Sequence, residues 1–327
     1  MDRIAFISGG TFIYWSSVIL ALAVVTAVSV YAAAYLARDG KVTGMAISVP
    51  VSIALSLVFG RFIHWYARAD AYESMASAMV PFSSGAYALM GAFIACLLTA
   101  SLLRLVRLTD NLPKMLDAMA LGGGAGIAVG RLASLFNASD RGVVLPDSIG
   151  FPFTYPVVNQ VSGLVENRLA TFMIQSMTTA FIFLALVIFL LVSRIRKKKV
   201  ADGDVCLLFL LAYGAVQIVC DSTRYDSLFL RSNGFISIVQ ILGLVGLVVP
   251  LIVFSVRMVK ARGFRFWFVL LWLVIGGLLG AAGYMEYHVQ RHGDQALFAY
   301  TVMGSSLLAV VILCILMRMI GNRSRKA

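Results

Sequence analysis

The sequence predicts an all-α polytopic membrane protein, and three observations predict it. Of its 327 residues 61% are hydrophobic and only 13% charged. The mean hydropathy is +0.92. The apolar residues also gather into nine long stretches separated by short polar turns. A soluble domain could not bury that much apolar surface in one core, whereas lipid solvates it directly. The alternating ten-residue strand pattern of an outer-membrane barrel is absent from the sequence.

A hydrocarbon layer about 30 Å thick needs about 20 apolar residues per helix. Segments 12–37, 43–66, 85–108, 114–136, 170–193, 205–222, 235–257, 266–285 and 297–319 meet that length, allowing for tilt. The start, Met1-Asp-Arg-Ile-Ala-Phe6, lacks a basic leader region and a clear cleavage site, so the first segment is read as a retained anchor. The turns between segments sort by charge. Arg38 and Lys41 follow the first, and Arg104, Arg107 and Lys114 surround the third turnaround. Arg194, Arg196 and Lys197 to Lys199 follow the fifth, and Arg257, Lys260, Arg262 and Arg265 the seventh. Arg318, Arg323, Arg325 and Lys326 end the chain. These are 18 of the 27 basic residues, and they share one side. The positive-inside rule makes that side cytoplasmic, with the N-terminus outside and the C-terminus inside, as nine crossings require. The net charge of +12 is therefore read as topology rather than as a nucleic-acid surface.

The opposite side carries mixed charges: Asp70, Glu73, Asp140, Arg141, Asp147, Glu166, Asp221, Arg224, Asp226 and Arg231. Topology alone does not account for them, so chemistry is expected on that face. Its longest connection, 137–169, holds Pro146, Pro152 and Pro156 with several aromatics and reads as an ordered cap. The four cysteines lie inside apolar segments. Cys206 and Cys220 are about 21 Å apart on one helix and cannot bridge each other. No spacing suggests a metal site or a cofactor, and HExxH, GxSxG and phosphate-loop motifs are missing.

Two clusters stand out. Gly122, Gly126 and Gly130 recur every fourth residue on one apolar helix and lead into Arg131. That spacing lets another helix approach closely. A charge at a membrane helix end needs a partner, water or a function, although snorkelling to a headgroup is the plain alternative. Tyr213, Gln217, Asp221 and Arg224 would fall within about 80° of one helix face, which then points into protein or a wet cavity. The alternative there is a structural Asp221–Arg224 pair. Gly60-Arg61 closes the second segment, followed by His64, Trp65 and Tyr66. The aromatics read as interfacial anchors and His64 as a satisfied interfacial residue.

Together these clusters resemble the bacterial prolipoprotein diacylglyceryl transferase family. Gly130-Arg-Leu-Ala-Ser-Leu-Phe-Asn137 through Gly142 is similar to its signature Gly-Arg-x-Gly-Asn-x-x-Asn-Gly-Glu-x-x-Gly. Tyr213-Gly-x-x-Gln-x-x-x-Asp-x-x-Arg224 is similar to its Tyr-Gly-x-x-Arg-x-x-x-Glu-x-x-Arg. Gly234-Phe-Ile-Ser-Ile-Val-Gln-Ile-Leu242 resembles the stretch opening its last helix, and Ala86-Tyr-Ala-Leu-Met-Gly-Ala-Phe-Ile94 a Gly-Leu-Ala-Ile-His-Gly-Gly-Leu-Ile type of motif. The resemblance covers seven segments. It implies a seven-helix diacylglyceryl-transferase-like core over 1–257 and two additional C-terminal transmembrane helices over 258–327.

The implied reaction moves the diacylglyceryl group of phosphatidylglycerol onto the lipobox cysteine of an exported prolipoprotein, in a bacterial cytoplasmic membrane and without a cofactor. It needs cations for the phosphate leaving group and a base for the thiol. The resemblance assigns catalytic roles to Arg131, Asp221 and Arg224. It assigns substrate contacts to Ser134, Asn137, Asp140, Gly142, Tyr213, Gln217 and Met90. Departures are visible. Met90 stands at a histidine position, Ser134 at an asparagine, Ser139-Asp140 at a glutamate, Gln217 at an arginine, Asp221 at a glutamate, and Gln175 at another. The alternative implied function is a catalytically inactive member that binds phospholipid or a partner enzyme.

Overall fold

The computed structural model describes residues 3–80, 86–109, 111–137, 139–146, 148–150, 152–159, 162–230, 233–293 and 295–323. Asp147, Arg231, Arg325 and Lys326 lie outside them. The chain forms two compact units, Met1–Phe209 with Thr223–Leu228, and Leu210–Ser222 with Phe229–Ala327.

The first unit opens with a hairpin, β1 (Ile4–Ser8) against β2 (Thr11–Tyr14). Gly9 and Gly10 make its turn with φ of +56° and +79°, as a two-residue hairpin loop requires. Helices α1 (Trp15–Leu36) and α2 (Val42–Ala67) follow, then a short α3 (Met75–Met79), α4 (Met90–Leu105) and α5 (Leu112–Gly130). A hairpin of β3 (Thr154–Val158) and β4 (Val165–Leu169) precedes α6 (Thr171–Ile195). Helix α7 spans Asp204–Ser222, its first six residues in the first unit and the rest in the second. The second unit continues with a small hairpin, β5 (Phe229–Leu230) and β6 (Asn233–Ser237). Three long helices complete it: α8 (Ile238–Arg262), α9 (Phe266–His292) and α10 (Ala296–Arg323).

Among the described residues eight helices are long and apolar enough to cross a membrane, so the protein is a multi-pass, mostly helical membrane protein. One expected boundary is corrected. The third segment, drawn over 85–108, contains only the 16 residues of α4. At 1.5 Å per residue that is about 24 Å, and the non-helical residues flanking it extend the stretch along α2, from Leu108 beside Gly44 to Ala88 beside Gly60. The chain before it lies non-helical against α2, where the Ala88 N–H donates to the Gly60 carbonyl at 3.0 Å. A side chain on Gly91 would come within 2.2 Å of the Gly60 nitrogen. The all-α class stands, with three short two-stranded sheets at helix ends among the described residues. Residues 12–14 belong to the first of them, and the expected cap after 137 holds the second.

The glycine spacing on α5 has the predicted consequence. A Cβ on Gly122 would lie 2.5 Å from the Ala27 carbonyl oxygen, and one on Gly126 2.7 Å from the Ala27 Cβ. These glycines let α1 and α5 pack backbone to backbone. At the start of α5, the Asp117 carboxylate is fully buried. It accepts from Arg38 Nη1 at 2.8 Å, from the Gly203 N–H at 2.9 Å and from the Cys206 N–H at 2.8 Å. One aspartate thereby satisfies two orphan N–H groups at the start of α7, where a negative charge also suits the helix dipole.

Candidate functional site

Helix α5 ends at Gly130 and tightens into a 3-10 turn, Arg131–Leu135, which starts the cap. The cap returns to the helix bundle at Gly142, which pairs as an isolated antiparallel bridge with Arg224. Only glycine fits there: a Cβ would stand 2.7 Å from Thr171 Oγ1, 2.9 Å from Leu169 Cβ and 3.0 Å from the Thr223 carbonyl. The close approach aligns two strands of chain and brings Arg131 and Arg224, 93 residues apart, onto one carboxylate.

That carboxylate is Asp140. Its Oδ1 accepts from Arg131 Nη1 at 2.9 Å and from Arg224 Nη1 at 2.7 Å, and its Oδ2 accepts from the Ser134 hydroxyl at 2.9 Å. Asp226 braces the cluster: Oδ1 accepts from Arg224 Nε at 2.9 Å and Oδ2 from the Asp140 N–H at 3.0 Å. Burial works to raise the Asp140 carboxyl, but the guanidiniums of Arg131 and Arg224 overcome it and hold it down at about 2. Asp140 sits at a left-handed φ of 57°, a conformation aspartate tolerates at a cost on the order of 1 kcal/mol. The arginine and aspartate side chains remain about a tenth exposed (12%, 12% and 11%), so the cluster is reachable from outside.

Sequence reasoning counted Arg141 only as one more charge on its face. It is fully buried. Its Cζ lies between the rings of Tyr155 (4.2 Å) and Phe172 (4.4 Å), a sandwich worth roughly 2 kcal/mol per ring when desolvated. Its Nη2 donates to the carbonyls of Ser134 (2.6 Å) and Asn137 (2.8 Å). Asn137 in turn accepts on Oδ1 from the Ser139 N–H at 3.0 Å, and the Tyr155 hydroxyl donates to the Leu135 carbonyl at 2.9 Å. Arg141 therefore pins the turn that carries Ser134 and Asp140. No spacing signal could have found it, because its burial comes from a hairpin thirteen residues on.

Arg131, Ser134, Asn137, Asp140, Gly142 and Arg224 thus form one constellation in the first unit. Met90 belongs to the same unit, buried at the first turn of α4. Tyr213, Gln217 and Asp221 are buried in the second unit on α7, four residues apart as expected. Arg224 departs from the predicted helical stripe, since α7 ends at Ser222 and the chain turns before it. Asp221 accepts a short hydrogen bond from the Ser237 hydroxyl, which also caps α8 by accepting from the Gln240 N–H at 3.0 Å. Gln175 and Gln217 bury both polar atoms of their amides with no hydrogen-bond partner among the described residues.

The chemical capacity is plain. Two guanidiniums converge on a single oxygen position, with a hydroxyl beside it. A phosphate oxygen has the same charge and the same hydrogen-bonding needs as the carboxylate oxygen now held there.

A family model described as prolipoprotein diacylglyceryl transferase matches residues 3–256. The match ends inside α8 and leaves α9 and α10 beyond it. Three phosphatidylglycerol–prolipoprotein diacylglyceryl transferases are similar to this chain. The one from Clostridioides difficile is 24% identical, over 75% of this chain and 92% of that protein. The one from Finegoldia magna is 23% identical, over 80% and 99%. The one from Lactococcus lactis subsp. cremoris is 25% identical, over 80% and 96%.

Proposed function

This chain belongs to the prolipoprotein diacylglyceryl transferase family, and on that footing we propose that it transfers the diacylglyceryl group of phosphatidylglycerol to the lipobox cysteine of exported prolipoproteins. The observation that carries the reading is the convergence of Arg131 and Arg224 on one oxygen position at a partly open site. In the reaction the cysteine thiolate attacks the glyceryl carbon bonded to phosphate. The S–C bond forms, the C–O bond breaks, and glycerol phosphate leaves with the electron pair. Arg131 and Arg224 would hold its phosphate, with Ser134 donating beside them and Asp140 moving aside. Electrostatic stabilisation of a departing phosphate in a poorly hydrated site is a large source of acceleration. The amide of Gln175, in the same unit as the arginine pair, suits a polar headgroup.

The setting we propose is a bacterial cytoplasmic membrane, with the 137–169 cap outside and the basic run Arg194–Lys199 inside. The charge bias of the turns supports that orientation. Residues 258–327 would be an extension to a core over 1–257, in keeping with a family match that stops at 256. A second reading, an inactive member that only binds phospholipid, draws support from Met90 at the histidine position and from Asp140 neutralising the arginine pair. Complementation of a strain depleted of its own transferase separates the two. Growth with processed lipoproteins is the expected result, and failure by well-expressed protein would overturn the transferase reading.

A further inference from the structure

We infer that His64, oriented by Tyr72, is the proton acceptor for the cysteine thiol at this site. The inference rests on the transferase reading. A thiol attacks carbon as the thiolate, so a base must stand near the headgroup. The Asp140 carboxylate accepts from two guanidiniums that hold it well below the usual carboxylate range, which makes it a poor base, and both oxygens of Asp226 already accept, from Arg224 and from the Asp140 N–H. Of the three histidines, His288 and His292 are on α9 in the second unit, and His64 alone is in the first.

His64 stands one turn before the end of α2 and is half-buried. Its Nδ1 lies 2.7 Å from the Tyr72 hydroxyl, with the two rings edge to face at 5.8 Å and 86°. Tyr72 is held in turn by the buried Arg61, whose Cζ lies 5.3 Å over its ring and whose Nε donates to the Ala78 carbonyl at 2.7 Å. An imidazole fixed through one nitrogen presents the other in a set direction, as an oriented base requires.

The placement fits as well. The Arg68 N–H donates to the His64 carbonyl at 2.9 Å, and Arg68 Nη2 reaches the Ser227 carbonyl at 3.5 Å. The Ser227 hydroxyl donates to the Arg224 carbonyl at 3.4 Å. The His64 turn is therefore tied to the segment that presents Arg224 to Asp140. In the step, His64 Nε2 takes the S–H proton and the sulfur pair forms the S–C bond. The C–O pair leaves on glycerol phosphate, and the imidazolium then returns its proton to water.

The test uses the full chain in phosphatidylglycerol vesicles with two lipobox peptides, one carrying cysteine and one selenocysteine, whose selenol is already ionised at neutral pH. His64→Gln should slow transfer to the cysteine peptide at least a hundredfold, the lower range of general-base effects. Transfer to the selenocysteine peptide should stay within about fivefold of wild type, with phosphatidylglycerol binding unchanged. Tyr72→Phe, which removes only a hydroxyl, should show the same selective loss to a smaller degree. Equal slowing on both peptides would assign His64 a structural role and overturn the inference, as would wild-type rates on cysteine. If wild type transfers to neither peptide, the transferase reading itself falls and this inference with it.

Discussion

Two aspartates, at opposite ends of α5, make the same kind of bond to different ends. Asp117 and the Arg131 that Asp140 accepts from are fourteen positions apart, about 21 Å along the helix. Asp117 pairs with Arg38 but also receives two backbone N–H groups from the start of α7. The Asp140 carboxylate receives only side chains: Arg131, Arg224 and Ser134. A carboxylate holding backbone amides is built into the fold, because nothing else in a membrane interior would satisfy them. A carboxylate holding side chains can be exchanged for another anion without unravelling a helix. The first arrangement is architectural and the second is suited to a ligand.

The largest effect expected is at the architectural end. Asp117→Ala strands two buried helix N–H groups and takes one of the two carboxylate partners of Arg38, so it should cost about 3–5 kcal/mol. Thermal unfolding in mild detergent measures it, and a loss below about 1 kcal/mol would erase the distinction drawn above. Next, Arg131→Ala should weaken phosphatidylglycerol binding by roughly ten- to a hundredfold, the worth of one charge-assisted hydrogen bond of about 1.5–3 kcal/mol. Arg131→Lys keeps the charge without the planar fork and should fall between wild type and alanine. Binding equal to wild type in Arg131→Ala would leave that arginine as a structural partner of Asp140 only.

Acid separates the ends further. The Asp140 carboxyl sits at about 2 against an ordinary 3.8, so its folded value is depressed. Its contribution is complete above about pH 4 and is lost as pH falls through about 2. The gap is worth about 2 kcal/mol. Melting temperatures of wild type and Asp140→Asn should converge over that window, and parallel curves would refute the assignment. The smallest effect is the most telling for the site. Asp140→Asn removes the charge that competes with an external phosphate for Arg131 and Arg224 and should tighten phosphatidylglycerol binding several-fold, about 1 kcal/mol. Weaker binding by this variant would make Asp140 a supporting ligand rather than an internal competitor.

The hydrophobic runs and the four-residue glycine spacing are local, and each was read correctly from residues near one another in the chain. Bilayer thickness and helix geometry translate such patterns directly into length and contact face. The same logic misplaced the ends of α4 and the position of Arg224. Where a helix stops depended on what its last residues met: Gly60 beside Gly91 in one case, Gly142 opposite Arg224 in the other. Hydropathy says nothing about such meetings.

From the sequence alone came a helical membrane protein, the helix face that admits a close neighbour, and two arginines worth watching. The tertiary structure decided what those arginines do. Charge pairing in a low-dielectric interior depends on which groups come within about 3 Å, and the paired groups here are 9, 79 and 84 residues apart. Arg38 looked like a topology signal and is the lock on Asp117. Arg141 looked like a surface charge and is a buried pin between two aromatic rings. His64 was expected to be a satisfied interfacial residue, and only the fold shows that Tyr72, eight positions on and past the end of its helix, is a partner that satisfies it. A sequence fixes which groups are costly to leave unpaired in lipid, and only the folded chain settles which partner relieves each of them.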